Sequence, residues 1–340
     1  MKAFLIGRPG SGRETIFRAL ASLGPAPAHH DLRQGEALVS DPRLDYLSSV
    51  FKPRKHTQAR LELCLPKPQS EPAKALKVAL EKAREADVLL MVLAAFQGPG
   101  GESPDPARDA ALLASELNSA DFVTVSMRLE RIDEDNKRGR KADPQERELL
   151  ASALAQLENN KSLRDIPELA KAQKLRGFGL LSSKPLLALV NQPDNAESEA
   201  SPDLVAGVPC LGLKGSLEEE FSFLSPGEAQ EMMGVYGLAE LGTARVIKKL
   251  YEMMGLISFF TVGEDECRAW TLTRGDNALT AAGQIHSDIQ KGFIRAEVVA
   301  FDDFKACGSF NEAKKKGLFR LESKTYLVAD GDIVHFRFNV

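Results

Sequence analysis

A short strand-like run, Lys2–Ile6, passes straight into a loop with glycine at both ends, Gly7-Arg8-Pro9-Gly10-Ser11-Gly12. That loop opens directly into a helix-forming stretch, residues 14–23, with Ile16, Phe17, Leu20 and Leu23 on one face. This is the feature that most constrains the fold. Short apolar strands alternating with helices argue for a mostly parallel α/β sheet. Strand, glycine loop, helix is also the layout of a phosphate-binding loop: glycines let backbone N–H groups turn toward an anion, and the helix N-terminus adds partial positive charge.

The functional form of such a loop is G-x-x-x-x-G-K-[ST]. Gly7 and Gly12 fit the spacing, and Pro9, Gly10 and Ser11 lie between them. The lysine position holds Arg13, which keeps the charge in a bulkier planar group. The hydroxyl position holds Glu14, a carboxylate that would face the phosphates. One like-charge pair at ~5 Å and an effective dielectric of ~20 costs roughly 3 kcal/mol, about two powers of ten in affinity. Thr15 comes one residue late, about 100° around the helix.

Further along, 36–40 and 60–65 read as strands, and Leu44, Leu47 and Phe51 fit a short helix after the Asp41-Pro42 turn. Ser70 with Pro72 is placed to start another helix. The runs 88–95, 186–190 and 208–213 are apolar on both faces, as strands of a buried parallel sheet are. The reading is an α/β fold with a mostly parallel sheet. Two helical stripes interrupt it: Phe122, Val125, Leu129, Ile132 and then Leu150, Leu154, Leu157, joined by the charged link 133–144. They read as an inserted antiparallel helical hairpin. Beyond residue 243 comes a small mixed sheet crossed by one helix over 280–291, a β-grasp pattern, ending in a strand over 333–340.

Formal charge is −4, too close to balance for bulk attraction to nucleic acid, so any polyanion contact must be a local patch. The longest apolar run has nine residues, short of the roughly 20 that span a bilayer, so no membrane partner is expected and the chain reads as cytoplasmic. The four cysteines, Cys64, Cys210, Cys267 and Cys307, form no CxxC pair, and no metal ligand set is assigned. No catalytic constellation is defensible from spacing. Local candidates for phosphate or RNA contact are the run Lys52-Pro53-Arg54-Lys55-His56, the hairpin-tip cluster Lys137, Arg138, Arg140, Lys141, and two strand faces, Arg268 with Trp270 and His335 with Arg337, should those faces coincide. His29 and His30 beside Asp31 read as a loop sooner than a metal site.

With the tail included, a family resemblance emerges. Arg245, Leu256-Ile257-Ser258-Phe259-Phe260-Thr261-Val262-Gly263, Arg268-Ala269-Trp270-Thr271, Ile285-His286-Ser287-Asp288, Gly292-Phe293-Ile294-Arg295-Ala296-Glu297-Val298 and Asp330-Gly331-Asp332 through Val340 strongly resemble the C-terminal part of the YchF/Obg-like ATPase family. Asp41-Pro42-Arg43-Leu44-Asp45 with Lys52-Pro53, Glu116-Leu117 with Arg128-Leu129-Glu130, and Lys184-Pro185 leading to Asn191 extend the likeness over the full length. The resemblance implies a P-loop NTPase domain (1–115 and 174–245), a helical insert (116–173) and a TGS-like β-grasp domain (258–340). It implies ATP or GTP with Mg²⁺ as cofactor, slow hydrolysis, and ribosome or RNA as partner. The family's base-reading N-x-x-E appears as Asn191-Gln192-Pro193-Asp194, which places Asn191, Gln192 and Asp194 at the purine.

The departures are specific. Arg13-Glu14 replaces the family's Lys-Ser, residues 26–35 show no counterpart of switch I, and the D-x-A-G of switch II is replaced by Pro66-Lys67-Pro68-Gln69. Three parts of the phosphoryl-transfer apparatus are altered or missing. The expectation is a degenerate NTPase that binds purine nucleotide weakly or not at all and associates with ribosome or RNA. Its alternatives are a slow ATPase or GTPase using Arg13 on the phosphates and Asn191 on the base, and a protein–protein adaptor working through the TGS-like domain.

Overall fold

The computed structural model describes residues 1–21, 23–26, 32–67, 72–98, 101, 103–141, 143–196, 204 and 207–339. Among these the strands are β1 (Lys2–Ile6), β2 (Leu23–Ala26), β3 (Leu32–Val39), β4 (Lys55–Thr57), β5 (Ala59–Pro66), β6 (Val88–Ala94), β7 (Leu186–Asn191), β8 (Cys210–Leu213), β9 (Leu256–Thr261), β10 (Glu266–Thr273), β11 (Phe293–Ala300), β12 (Arg320–Glu322) and β13 (Asp332–Phe338). The helices are α1 (Arg13–Leu20), α2 (Pro42–Phe51), α3 (Pro72–Ala83), α4 (Pro106–Lys137), α5 (Pro144–Glu158), α6 (Pro167–Ala170), α7 (Gly215–Phe221), α8 (Pro226–Val235), α9 (Gly242–Met253), α10 (Ala278–Ile285), α11 (Ser287–Lys291), α12 (Phe301–Cys307) and α13 (Phe310–Lys315). His29, His30, Asp31, Pro68, Gln69 and Ser70 lie outside the described residues. No helix among the described residues is long and apolar enough to cross a membrane.

The contacts divide the chain into two units, 1–37 with 62–246, and 38–61 with 247–340. The first unit holds a seven-stranded sheet in the order β2-β3-β5-β1-β6-β7-β8. β1 runs parallel to both β5 and β6, and β6, β7 and β8 continue in parallel. At the other edge β2 pairs antiparallel with β3. The doubly apolar runs explain the centre: every residue of β7, and all of β6 but its last, is buried. The order reverses at β1, so the loop that follows it leaves at the crevice where open α/β sheets bind ligands.

The helical insert is longer than its sequence stripe. α4 runs for 32 residues from an Asp105 cap, ten residues before the expected boundary, and α5 starts at an Asp143 cap with Pro144 in its first turn. Their course is antiparallel: Asn118 meets Asn160, and Arg128 meets Glu146 at 2.7 Å. Val125, Ile132, Leu150, Ala153 and Leu157 form the seam, closed below by Leu163, Leu169, Leu175 and Leu180. Phe122, expected in that seam, is exposed instead.

The second unit holds a six-stranded sheet, β12-β11-β13-β9-β10-β4. β9 and β10 form an antiparallel hairpin, α10 follows, and β13 lies parallel to β9 between it and β11. That is the β-grasp arrangement. Phe259, Val334 and Phe336 pack beneath Ala278, Ala281 and Ala282 of α10. The expected single helix over 280–291 is broken at His286, whose extended backbone caps α11 instead.

Two findings correct the sequence reading here. Segment 38–61, assigned to the first domain, belongs to the second unit: β4 joins β10 in parallel, and α2 lays Tyr46 against Phe301 and Phe51 against Phe304 and Phe310. The helices α12 and α13 that supply those rings were not read from the sequence. Secondly, the two strand faces do not coincide. Trp270 pairs with Phe259 on the α10 side, together with Phe336, whereas His335 and Arg337 alternate to the other side. Trp270 is half-buried, donates from its indole to Thr261 at 2.9 Å, and carries the Arg268 guanidinium over its ring at 3.9 Å.

Candidate functional site

The loop after β1 turns on glycine. Gly10 and Gly12 sit at φ +83° and +81°, left-handed values that side chains resist. Gly12 is held further by space: a Cβ there would fall 2.1 Å from the Asn191 amide nitrogen. Asn191 ends β7, and its buried amide is committed to backbone, donating to the Ser11 carbonyl at 3.2 Å and accepting from the Gly215 N–H at 3.1 Å. One donor and one lone pair remain on it for anything else. The residue read as a base reader is therefore also the brace that ties the loop to β7 and to the start of α7.

A cleft of about 670 Å³ opens beside the loop, lined by Pro9, Gly10, Gly12, Arg13, Glu14, Thr15, Asn191, Gln192 and Asp194. All the sequence-selected residues but two meet there. Gly7 lies behind it, where a Cβ would strike the Val92 carbonyl at 2.5 Å. Ser11 faces a second cavity of about 270 Å³, shared with Arg8, Asp105 and Asp109. Its hydroxyl is buried with no hydrogen-bond partner among the described residues. Leu65, Pro66, Phe96, Pro193 and Ser216 complete the larger cleft. Phe96 was not singled out from sequence; its ring lies within 3.6 Å of where a Gly12 Cβ would stand, and it lines both cavities.

Charge in the cleft is arranged differently from the sequence expectation. Glu14 is not a bare acid: Arg33 of β3 donates to its carboxylate and neutralises it in place. Nothing in the spacing announced Arg33, which arrives from a neighbouring strand. Arg13 meets no such partner among the described residues. Burial lowers its pKa, and the field of Glu14 partly restores it. Asp194 is exposed at the far wall. Thr15 lines the cleft despite standing one position late. No cluster of three or more His, Cys, Asp or Glu able to hold a metal occurs among the described residues.

The remaining candidates are largely spoken for. Arg54, Lys55 and His56 face Asp265, Glu266 and Asp45, and His56 also meets Ser48 at 2.9 Å. At the hairpin tip Arg138 and Arg140 pair with Glu134 and Asp135. Arg337 pairs with Glu297.

A parallel α/β sheet with a glycine loop at its switch point, an asparagine strand end beside it and a β-grasp unit define a P-loop NTPase-type protein. A family model described as YchF-GTPase_C, a protein of unknown function (DUF933), matches residues 256–339. The chain is 32% identical to the ribosome-binding ATPase YchF of Bacillus subtilis and 33% identical to that of Mycoplasma genitalium, over the whole of both chains in each case. It is 31% identical to Obg-like ATPase 1 of rice, covering all of this chain and 92% of that one. The chain belongs to the YchF family. Among solved structures, the YchF GTPase of Schizosaccharomyces pombe shares the fold with a TM-score of 0.85 at 23% identity, covering 99% of this chain and 97% of that one. A GTP-binding protein of Pyrococcus horikoshii follows at 0.62 and 17%, with both chains covered in full.

Proposed function

We propose that this YchF-family chain is a cytoplasmic, ribosome- or RNA-associated binding module whose cleft takes a purine nucleotide weakly and hydrolyses it little or not at all. The observation that carries the reading is the Glu14–Arg33 pair, standing where the motif requires a metal-binding hydroxyl. Strand β5 adds to it by ending at Pro66 and passing to Lys67, with no aspartate there to reach a metal. Ribosome association rests on the relatives, which are named ribosome-binding ATPases and match end to end.

The test has two arms. Phosphate release with ATP and GTP stays at background for the wild type, and the double reversion Arg13→Lys/Glu14→Ser raises affinity for the magnesium triphosphate. Turnover by the wild type comparable to an active relative overturns the reading. In the second arm the protein co-sediments with ribosomes and is released as salt rises, because phosphate contacts weaken steeply with ionic strength. Failure to co-sediment at low salt removes the ribosome. A slow ATPase is the second reading, favoured by Arg13, which brings into the cleft a cation without an acid partner among the described residues. Measurable turnover lost in Arg13→Gln supports it.

A further inference from the structure

How the cleft recognises phosphate follows from its charges, given the nucleotide-binding reading above. In phosphate-loop enzymes Mg²⁺ is held by the hydroxyl after the lysine and by an aspartate on a nearby strand, with the phosphates completing its shell. That donor set does not fit here. The hydroxyl is replaced by Glu14, and its carboxylate is already bound to Arg33. The pair takes Glu14 Oε2, and a cation at the other oxygen would sit beside the guanidinium and be repelled by it. The strand that should bring the aspartate ends at Pro66, and Lys67 follows it. Thr15 supplies at most one oxygen of the six that magnesium prefers.

What the cleft does offer is a cation. Arg13 lines it without an acid partner among the described residues, beside a loop whose N–H groups open toward helix α1. The Ser11 hydroxyl of the same loop faces the adjoining smaller cavity and has no hydrogen-bond partner among the described residues. The volume, about 670 Å³, is of nucleotide size. A lysine plus a divalent ion would bring three positive charges to the phosphates, whereas Arg13 brings one, since Arg33 is cancelled by Glu14. A site of low positive charge discriminates against a long anionic chain.

We infer that the cleft binds purine nucleotide without a divalent metal, Arg13 standing in for the ion, and that it prefers the mono- or diphosphate to the triphosphate. Glu14 and Arg33 act as a fixed neutral pair that keeps the metal out.

The experiment is calorimetric titration of the full chain with AMP, ADP, ATP and the guanine series, once in EDTA and once in excess Mg²⁺. Diphosphate affinity is expected to agree within about threefold between the two buffers and to exceed that for the magnesium triphosphate by about tenfold. Glu14→Gln removes the acid and frees Arg33, so metal-free affinity rises about tenfold with no metal dependence gained. Arg33→Ala leaves Glu14 bare and lowers affinity, and the double variant Arg33→Ala/Glu14→Gln recovers it. Tenfold or tighter binding with Mg²⁺ overturns this inference and leaves the nucleotide-binding reading standing. Absence of binding by every nucleotide in both buffers overturns the two together.

Discussion

Asp121 has no exposed surface, yet four donors converge on it: the Leu181 and Ser182 backbone N–H groups, the Ser182 hydroxyl, and Arg84 at 3.0 Å. It fastens the middle of α4 to the chain entering β7. Asp121→Ala leaves two buried N–H groups unmatched and takes the acid from Arg84, which keeps only the Ala120 carbonyl, the Thr124 hydroxyl and the Gly179 carbonyl, and urea unfolding of the first unit should show a loss of about 3–5 kcal/mol. The thiols give a test that needs no mutation. Burial, reinforced by Glu62, pushes Cys64 up to about 12, and burial also raises Cys267. Native protein at pH 8 should therefore leave these two unreacted with a disulfide reagent, and denaturation should release all four. The sign for stability follows from proton binding. Between the ordinary thiol value of 9.0 and about 12 the native state holds the Cys64 proton while the unfolded state loses it, so stability falls as pH rises through that window. At this scale the sequence was informative where spacing carries chemistry, as at Gly7, Gly12 and Asn191. It was silent about Arg33, because a pair 19 residues apart across two elements leaves no periodic trace.

Among the elements, α2 shows best what a pattern tells and what it withholds. Leu44, Leu47 and Phe51 announce a helix with one apolar face. They do not say which core that face enters, because an apolar stripe fits any apolar surface of similar shape. The answer lies in Arg43, which reaches Asp41 and Asp330 together and sits 5.3 Å from the centre of the Phe260 ring. Burial alone would lower its pKa, but the hydrogen bonds to both aspartates outweigh that and raise it. Gly331 makes room for the contact; a Cβ there would lie 2.8 Å from the guanidinium. Asp330 also accepts the Ser258 N–H at 2.9 Å, so the Asp330-Gly331-Asp332 motif is tied to β9. Arg43→Ala should destabilise the second unit by about 1–2 kcal/mol, the partly exposed geometry holding the figure down. An Arg43/Asp330 double-mutant cycle should return a coupling of about 1 kcal/mol, and no coupling would show the pair to be incidental. The strands β6 and β7, by contrast, were legible in full, since unbroken apolar runs have one home in an α/β sheet.

For the whole chain, the family model's span of 256–339 is not the folding unit. Excised as 247–340, the C-terminal part loses β4 and the ring-bearing face of α2 that meets Phe301, Phe304 and Phe310. That fragment should bind a hydrophobic dye and melt without a sharp transition, and fusing 38–61 back to it should restore a cooperative melt. A crisp melt of the bare fragment would refute this. The interleaving also sets a timetable at the ribosome that makes the chain. Residues 38–61 emerge early, but β9, the next strand of their sheet, follows about 200 residues later, an interval of roughly 10–40 s at ordinary elongation speed. Until then Leu44, Leu47 and Phe51 lack their final companions. Synthesis slowed within 62–255 should prolong that vulnerable period and direct more nascent chains to chaperones.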